Sequence, residues 1–322
     1  MSRPELDEFL ARARELRRRE ELDRAATTAI AEFESKGIEA LLLKGPVLAR
    51  RLYTEGETRS YWDIDLLVQP QDLAAARETL NNLGYTKVDE VLGIDDVGAL
   101  HGEAWARQAE DTGPLCIDLH WRLSRCDAPG DVVWRALRED HGRIELQGRA
   151  VPVPADAGLA LHLAIHAAQH GLEDTKAIAD LRRGIERWSL EVWRSAARLA
   201  EQVEGEAPFA AGLRLLPAGA ELAGQLNLPP TPQLDWEIQH RESRPRGTFH
   251  LQAWAEANGF RERLGVLRRA LFPTPQWLRY HYRWVGHRSW LLPVAYARHI
   301  ARAPLWAGRA MRFRRQARRA GG

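Results

Sequence analysis

Hydrophobic and polar residues follow two different periods along this chain. In the first half, short and mostly apolar segments end close to Gly, Pro or charged residues, as at 41–43 and 64–68, which is typical of buried strands. Amphipathic stretches with helical spacing precede and separate these runs. After residue 155 the apolar spacing is helical almost throughout. The pattern therefore predicts an α/β (α+β) fold, in which a small mixed sheet with helices is followed by a mostly helical domain.

The same patterns predict the individual elements. The predicted strands lie at 38–43, 64–69, 85–88, 99–109 and 115–123, and a hairpin with a Gln147-Gly148 turn spans 144–153. The predicted helices lie at 4–35, 47–53, 71–83, 131–139, 156–170, 174–187, 189–203 and 209–225, with Asp156 and Ser189 as caps. After a proline-rich linker at 227–232, we expect helices broken at Pro245, Pro273, Pro275, Pro293 and Pro304.

These elements suggest four regions. Residues 1–36 form an N-terminal helical segment, and 37–154 contain all of the predicted strands and therefore form the α/β domain. Residues 155–226 form a helical domain, and 227–322 form a helical C-terminal region rich in Arg and Trp. A chain of 322 residues is long enough for two domains that each bury a core.

Two acids on the second predicted strand are the main candidate for a metal site. Asp63 and Asp65 lie two residues apart, so their side chains point to the same face of the strand. Neighbouring carboxylates repel each other unless a cation lies between them, and Mg²⁺ binds carboxylate oxygens together with substrate phosphates. The alternative is a pair of solvent-facing acids on an edge strand. On the strand at 115–123, Asp118 and His120 also share a face, and His120 is interpreted as a general base or a cleft wall.

A glycine turn between the first strand and the next helix is the candidate phosphate site. The turn, Lys-Gly-Pro at 44–46, places proline in the first helical turn, where its missing N–H costs no hydrogen bond. The free N–H groups of a helix N-terminus attract phosphate, Gly45 permits close approach, and Lys44 adds a positive charge. Arg59 is predicted to pair with phosphate, and with the neighbouring acid pair when this site is empty. The alternative is an ordinary polar turn.

Three histidines on a predicted helix form a further candidate site. His162, His166 and His170 recur at every fourth position and share one helix face, and Asp180 follows on the next helix. The favoured interpretation is a polar seam in which Asp180 accepts a histidine N–H between packed helices. The alternatives are metal binding, for which the spacing of His162 and His166 is suitable, and a wall of the substrate cleft.

Composition restricts the cellular context. The two cysteines, Cys116 and Cys126, provide neither a disulfide framework nor a metal quartet, so we expect a cytoplasmic protein. The charged N-terminus has no apolar signal segment, and no apolar run is long enough to span a bilayer. The net charge of +2 conceals an asymmetry, because fifteen arginines and a single acid, Glu262, follow residue 260.

The arginines of the C-terminal region are interleaved with aromatic residues. This combination suits contact with an anionic surface such as nucleic acid, a membrane or an acidic peptide. The alternative is that the aromatic residues pack this region onto the body of the protein while the arginines face water. The aromatic residues are Trp277, Tyr280, Tyr282, Trp284, Trp290, Tyr296 and Trp306.

A Leu-Lys-Gly turn ending at Gly45 and an Arg-x-x-x-Asp-x-Asp sequence ending at Asp65 resemble the start of the nucleotidyltransferase superfamily. The superfamily has a Gly-Ser turn, whereas this chain has no serine there and is more similar to a family of uncharacterised bacterial nucleotidyltransferases. The resemblance extends over about residues 38–185. It implies that Asp118 is the third acid of a metal triad with Asp63 and Asp65.

The resemblance implies an enzyme that uses Mg²⁺ or Mn²⁺ and an NTP. A nucleoside monophosphate, or only a phosphoryl group, would pass to a small-molecule or peptide acceptor, because members of the family are often associated with natural-product pathways. Metal ions would neutralise the phosphates and activate the attacking oxygen. The expected catalytic acids and metal ligands are Asp63, Asp65 and Asp118, and the expected nucleotide contacts are Lys44, Gly45, Arg59 and His120.

Two alternatives come from other classes of protein. A metal-dependent glycosyltransferase also uses an Asp-x-Asp sequence to hold a metal against the diphosphate of a nucleotide-sugar. A non-catalytic protein of the same fold would use its basic C-terminal region to bind RNA, a membrane or a peptide, and the missing serine leaves room for this interpretation.

Overall fold

The computed structural model describes residues 3–54, 57–88, 101–109, 113–241, 243–245, 247–257 and 259–321. These residues divide into two compact units. The first contains the described residues up to Thr86 and from His101 to Pro230. The second contains Lys87, Val88 and the described residues from Thr231 onward. The candidate site residues all belong to the first unit, and the division into four regions stays a prediction.

A five-stranded sheet carries the predicted acids. Its strands are β1 (Ala40–Leu42), β2 (Asp63–Val68), β3 (Thr86–Lys87), β4 (Gly102–Arg107) and β5 (Leu115–His120). The spatial order is β1-β2-β5-β4-β3, in which β2 is parallel to β5 while β1 and β4 are antiparallel to their neighbours. This arrangement confirms the predicted mixed α/β fold. Part of the strand predicted at 99–109 lies outside the described residues, and β4 occupies its centre.

Alternation along β5 divides its side chains between two faces. Leu115, Ile117 and Leu119 are buried, whereas the residues between them are partly exposed. The buried face belongs to the same core as Phe33 of the long helix α1 (Arg3–Ser35). Each large apolar side chain buried there stabilises the fold by about 1.5–3 kcal/mol. The opposite face of β2 and β5 is therefore left for the polar residues of the candidate site.

Short helices and a hairpin complete the strand-bearing part. The hairpin turn has positive φ at both central residues, 50° at Gln147 and 74° at Gly148, as a two-residue type I′ turn requires. This confirms the predicted hairpin. The elements are α2 (Pro46–Arg51), a 3₁₀ turn (Pro70–Asp72), α3 (Leu73–Asn82), α4 (Gly130–Glu139), β6 (His141–Leu146) and β7 (Arg149–Pro154).

Five helices follow in the first unit: α5 (Asp156–His170), α6 (Thr175–Arg187), α7 (Leu190–Gln202), α8 (Glu206–Leu213) and α9 (Pro217–Gln225). The predicted single helix at 209–225 is wrong, because Pro217 lacks the N–H needed to continue α8 and instead begins α9. The predicted cap Asp156 is also wrong, because Ala155 is the N-cap residue and Asp156 is the first helical residue. Ser189 does cap α7, with its hydroxyl accepting from the backbone N–H of Val192.

From Thr231 onward the second unit is helical, as predicted. Its helices are α10 (Pro232–Gln239), α11 (Thr248–Glu256), α12 (Phe260–Leu271), α13 (Pro275–His281) and α14 (Leu292–Gly321), with a 3₁₀ turn at Ser289–Leu291. The predicted break at Pro304 is wrong, because α14 continues through it and buries Ala295 and Phe313 on either side. Among the described helices, none combines the length and apolar composition needed to cross a membrane.

The C-terminal aromatic residues have different environments. Tyr282 is buried in a small core, and Trp277 and Tyr296 pack against it. By contrast, Trp290 is 72% exposed and Trp284 is 42% exposed. Part of the aromatic set therefore stabilises the second unit itself. Packing of these residues onto the body of the protein and contact with an anionic surface both stay predictions.

Candidate active site

One cavity in the first unit, with a volume of about 280 Å³, is lined by all of the candidate site residues. It brings together the β1–α2 turn, the polar face of β2 and β5, and one face of α5 and α6. The predicted residues that line it are Lys44, Gly45, Arg59, Asp63, Asp65, Asp118, His120, His162, His166, His170 and Asp180.

Asp65 is the most buried acid of this cavity, with 1% of its side chain exposed. Its Oδ1 atom lies 3.0 Å from Lys44 Nζ and 3.1 Å from His120 Nε2. Its Oδ2 atom is buried and has no hydrogen-bond partner among the described residues. Burial alone would raise the pKa of Asp65, but Lys44 and His120 outweigh this effect and hold the pKa below its ordinary value. Asp65 is therefore an anion with one unsatisfied oxygen.

Asp118 lies beside Asp65 because the parallel register of β2 and β5 pairs these two residues. Burial and the charge of Asp65 raise the pKa of Asp118 to about 6. Burial and Asp65 also raise the pKa of Asp63, at the start of β2. The charge of Asp65 thus disfavours ionisation of the other two acids, and a bound cation would relieve this repulsion.

The potential metal ligands that cluster on β2 and β5 differ from the predicted triad. Asp65, Asp118 and His120 each offer a ligand atom within 4.8 Å of the other two. Asp63 lines the same cavity but does not belong to this set within the described parts of the chain. The role of Asp63 as a metal ligand stays a prediction.

His120 is positioned by the neighbouring strand β4. Gly102 pairs with His120 across the antiparallel ladder, and a Cβ atom at Gly102 would come within 2.5 Å of His120 Nδ1. Glycine therefore leaves the space that the imidazole occupies. The ring of His101 stacks on the His120 ring with a centroid distance of 5.9 Å. This packing directs His120 Nε2 toward Asp65.

The glycine turn has a backbone conformation that favours glycine. Gly45 has φ of 67° and ψ of −108°, and a Cβ atom there would lie 3.2 Å from the carbonyl oxygen of Asp63. Burial would lower the pKa of Lys44, but Asp65 and Asp63 raise it, so the ammonium stays charged. The following helix α2 has only six residues, so its dipole is a smaller contribution than the sequence suggested.

Arg59 has a different ionic partner from the predicted one. It does not pair with Asp63 or Asp65; instead its Nε and Nη2 atoms donate to both oxygens of Asp180, at 2.6–3.0 Å. Its Nη1 atom donates to the carbonyl oxygen of Gly45 at 3.3 Å. A planar guanidinium binds a carboxylate best through two parallel hydrogen bonds. Asp180 is placed for this bidentate geometry.

The structure also differs from the predicted histidine seam, in which Asp180 would accept a histidine N–H. Asp180 instead accepts from Arg59 and from the Tyr53 hydroxyl, the latter at 2.7 Å. The rings of His162 and His166 stack at 5.9 Å instead. The buried Nε2 atom of His162 has no hydrogen-bond partner in the part of the chain that the structure describes. Burial and Lys44 lower the pKa of His162 to about 3 and lower that of His166 well below its ordinary value. Both rings are therefore neutral near pH 7.

Residues 2–218 match the family described as "Uncharacterised nucleotidyltransferase". The chain belongs to this family. The protein is thus a nucleotidyltransferase, which favours nucleotidyl transfer over the glycosyltransferase and the non-catalytic alternatives. No curated protein matches the chain.

Several solved structures resemble this nucleotidyltransferase at low sequence identity. ANT(2")-Ia in complex with adenylyl-2"-tobramycin is 16% identical, with a TM-score of 0.39, over 56% of this chain and 97% of the other. A nucleotidyltransferase-like protein from Paracoccidioides brasiliensis is 11% identical, with a TM-score of 0.37, over 58% and 91%. The lincosamide antibiotic adenylyltransferase LnuA, bound to lincomycin, is 16% identical, with a TM-score of 0.30, over 47% and 89%.

Sequence reasoning missed several residues that line the cavity of this nucleotidyltransferase. Lys176 and Asp174 come from the start of α6, and His101 precedes β4. A signal for Lys176 was present, because the chain has only four lysines and two of them, Lys44 and Lys176, line the cavity. His101 had no comparable signal, because the apolar pattern near it is weak.

Proposed function

We propose that this nucleotidyltransferase moves a nucleoside monophosphate from an NTP to a hydroxyl, phosphate or amine of a small-molecule or peptide acceptor, and releases pyrophosphate. The observation that carries the proposal is the buried carboxylate of Asp65, which lies next to Asp118. Its Oδ2 atom has no hydrogen-bond partner among the described residues. Leaving such an oxygen unsatisfied costs about 1–3 kcal/mol. A divalent cation would satisfy it and would offset the repulsion between the two acids.

The donor set fits a hard divalent cation. Asp65 and Asp118 contribute carboxylate oxygens, which Mg²⁺ and Mn²⁺ prefer, and the cavity leaves room for substrate phosphates as further ligands. The metal would supply charge neutralisation at the phosphates and activation of the attacking oxygen. Asp63 is the third acid of the proposal because it lines the same cavity, and its pKa is raised by burial and by Asp65.

His120 is assigned to positioning rather than to proton transfer. Its Nε2 atom faces Asp65 Oδ1 at 3.1 Å, and its Nδ1 atom lies over Gly102. The Nε2 atom is therefore engaged with Asp65 rather than directed at a substrate. By orienting the Asp65 carboxylate, His120 has the role that outer hydrogen-bond partners have in metal sites.

Lys44, Gly45 and Arg59 are proposed to contact the triphosphate. Lys44 brings a charged ammonium to the acids, and Gly45 lets the backbone come close to a phosphate. Arg59 would reach the nucleotide only through Nη1, because its Nε and Nη2 atoms already donate to Asp180. The neutral ring of His162 forms another part of the cavity wall and suits contact with an uncharged acceptor or base.

Isothermal titration with each NTP and Mg²⁺ tests the proposal. We expect NTP binding that requires the metal. In Asp65→Asn the affinity should fall by at least about 10- to 100-fold, because mutation of residues that only hydrogen-bond to metal ligands already has an effect of this size. The matched control is Asp131→Asn, which changes an exposed aspartate outside the cavity. Equal Mg²⁺-dependent NTP binding by wild type and Asp65→Asn would refute the proposed site. Pyrophosphate release with candidate acceptors then identifies the transferred group.

A further inference from the structure

A second cluster of metal-ligand side chains lies in the same cavity and comes from helices rather than strands. His166 and His170 are one helical turn apart at the end of α5, and Asp174 precedes α6. One ligand atom of each lies within 4.8 Å of the other two. We propose that these three residues bind a transition-metal ion of the Zn²⁺ class. The site goes beyond nucleotidyl transfer because it shares no ligand with the acids of β2 and β5.

The helix geometry already brings the ligands close to one another. Residues four apart on a helix lie on the same face, and the rings of His166 and His170 have a centroid distance of 4.3 Å. His170 Nδ1 lies 3.8 Å from Asp174 Oδ2. A tetrahedral ion with bonds of about 2.0–2.1 Å places its donors about 3.3–3.4 Å apart. Small side-chain rotations would therefore bring the ligands to coordination distance.

Asp174 is oriented for this role by the start of α6. Its Oδ1 atom accepts from the backbone N–H groups of Lys176 and Ala177, at 3.0 Å each. The other oxygen, Oδ2, is the one near His170. Hydrogen bonds that fix a ligating carboxylate are the usual outer support of a metal site. The helix cap therefore uses one oxygen of Asp174 and leaves Oδ2, the proposed metal ligand, directed at the histidines.

The chemistry of the ligands selects a different metal from that of the acid cluster. Two imidazoles and one carboxylate suit Zn²⁺, whereas Mg²⁺ prefers oxygen ligands alone. An imidazole binds metal in its neutral form.

Three protein ligands leave a fourth position on the ion open. All three side chains line the cavity, so this position would be filled from the cavity by water or by a donor atom of the acceptor. The Zn²⁺ site would thus lie within reach of the molecules that enter the cavity.

The test is titration of metal-free, full-length protein with Zn²⁺, and with Co²⁺, whose visible absorption reports its coordination geometry. The variants are His166→Gln, His170→Gln and Asp174→Asn, and the last keeps a side-chain oxygen that can still cap α6. The controls are His141→Gln, a histidine outside the cavity, and Asp65→Asn, which removes the proposed Mg²⁺ site. Circular dichroism of each variant verifies that the fold is retained.

We expect one Zn²⁺ per chain in wild type and in both controls, and affinity lower by at least about 10- to 100-fold in each ligand variant. Absence of Zn²⁺ binding in wild type would overturn the proposal, and so would equal binding by folded ligand variants, because the ion would then bind elsewhere. The titration contains no nucleotide. Its outcome is therefore independent of whether the proposed NTP site is correct.

Discussion

Replacing Asp180 with Asn would leave the buried Arg59 guanidinium without its ionic partner. Arg59 is 9% exposed and Asp180 is 2% exposed, so water can replace little of the lost interaction. At an effective dielectric constant of 20, unit charges about 4 Å apart attract each other by about 4 kcal/mol. Removing one partner of a buried pair costs about 3–5 kcal/mol. Because Asn keeps the shape and one acceptor oxygen, we expect a loss near the lower value, about 3 kcal/mol.

Urea unfolding followed by circular dichroism measures this loss as a change in the free energy of unfolding. The matched control is Asp131→Asn, whose partner Arg135 is 71% exposed, and its expected loss is about 0.2–1 kcal/mol. Replacing both Arg59 and Asp180 with apolar residues should recover much of the stability, because no unpaired charge is then buried. A loss in Asp180→Asn no larger than in Asp131→Asn would refute the reasoning.

Two further predictions concern the acids and their support. Divalent-metal binding should weaken as the pH falls through about 6, because the raised pKa of Asp118 lets protons compete with the ion. The Asp118→Asn variant should show a weaker dependence of metal affinity on pH. Titrations with Mn²⁺ at several pH values test both expectations. Gly102→Ala should displace His120 and weaken Mg²⁺-dependent NTP binding by about tenfold or more. The control is Gly224→Ala, where an added Cβ atom meets no other atom within 4 Å, and its NTP affinity should equal that of wild type.

Local patterns were sufficient to predict several geometric features of the candidate site. The Asp-x-Asp spacing placed Asp63 and Asp65 on one strand face because side chains in a strand alternate, whatever the strand pairs with. The Lys-Gly-Pro turn likewise indicated a strand-to-helix junction, since glycine and proline restrict the backbone locally. Asp118 and His120 shared a face for the same reason, and all four line the cavity.

Long-range partners could not be predicted from the same patterns. Arg59 pairs with Asp180, 121 residues later, whereas the sequence offered nearer acids. The register that pairs Asp65 with Asp118 depends on the parallel contact of β2 and β5, which no local signal specifies. The division of the predicted helix at 209–225 is a different kind of error, because Pro217 was a visible boundary signal.

The ion pair of Arg59 and Asp180 also bears on the boundary predicted at residue 154. Arg59 precedes β2, whereas Asp180 lies on α6, so the buried pair joins the strand-bearing part to the helices of the first unit. Arg59 also donates to the carbonyl oxygen of Gly45, which connects the same pair to the candidate phosphate turn. A fragment that ended at residue 154 would leave this guanidinium unpaired and would lack the histidine wall of the cavity. We therefore infer that the candidate site is complete only when α5 and α6 are folded against the strand-bearing part.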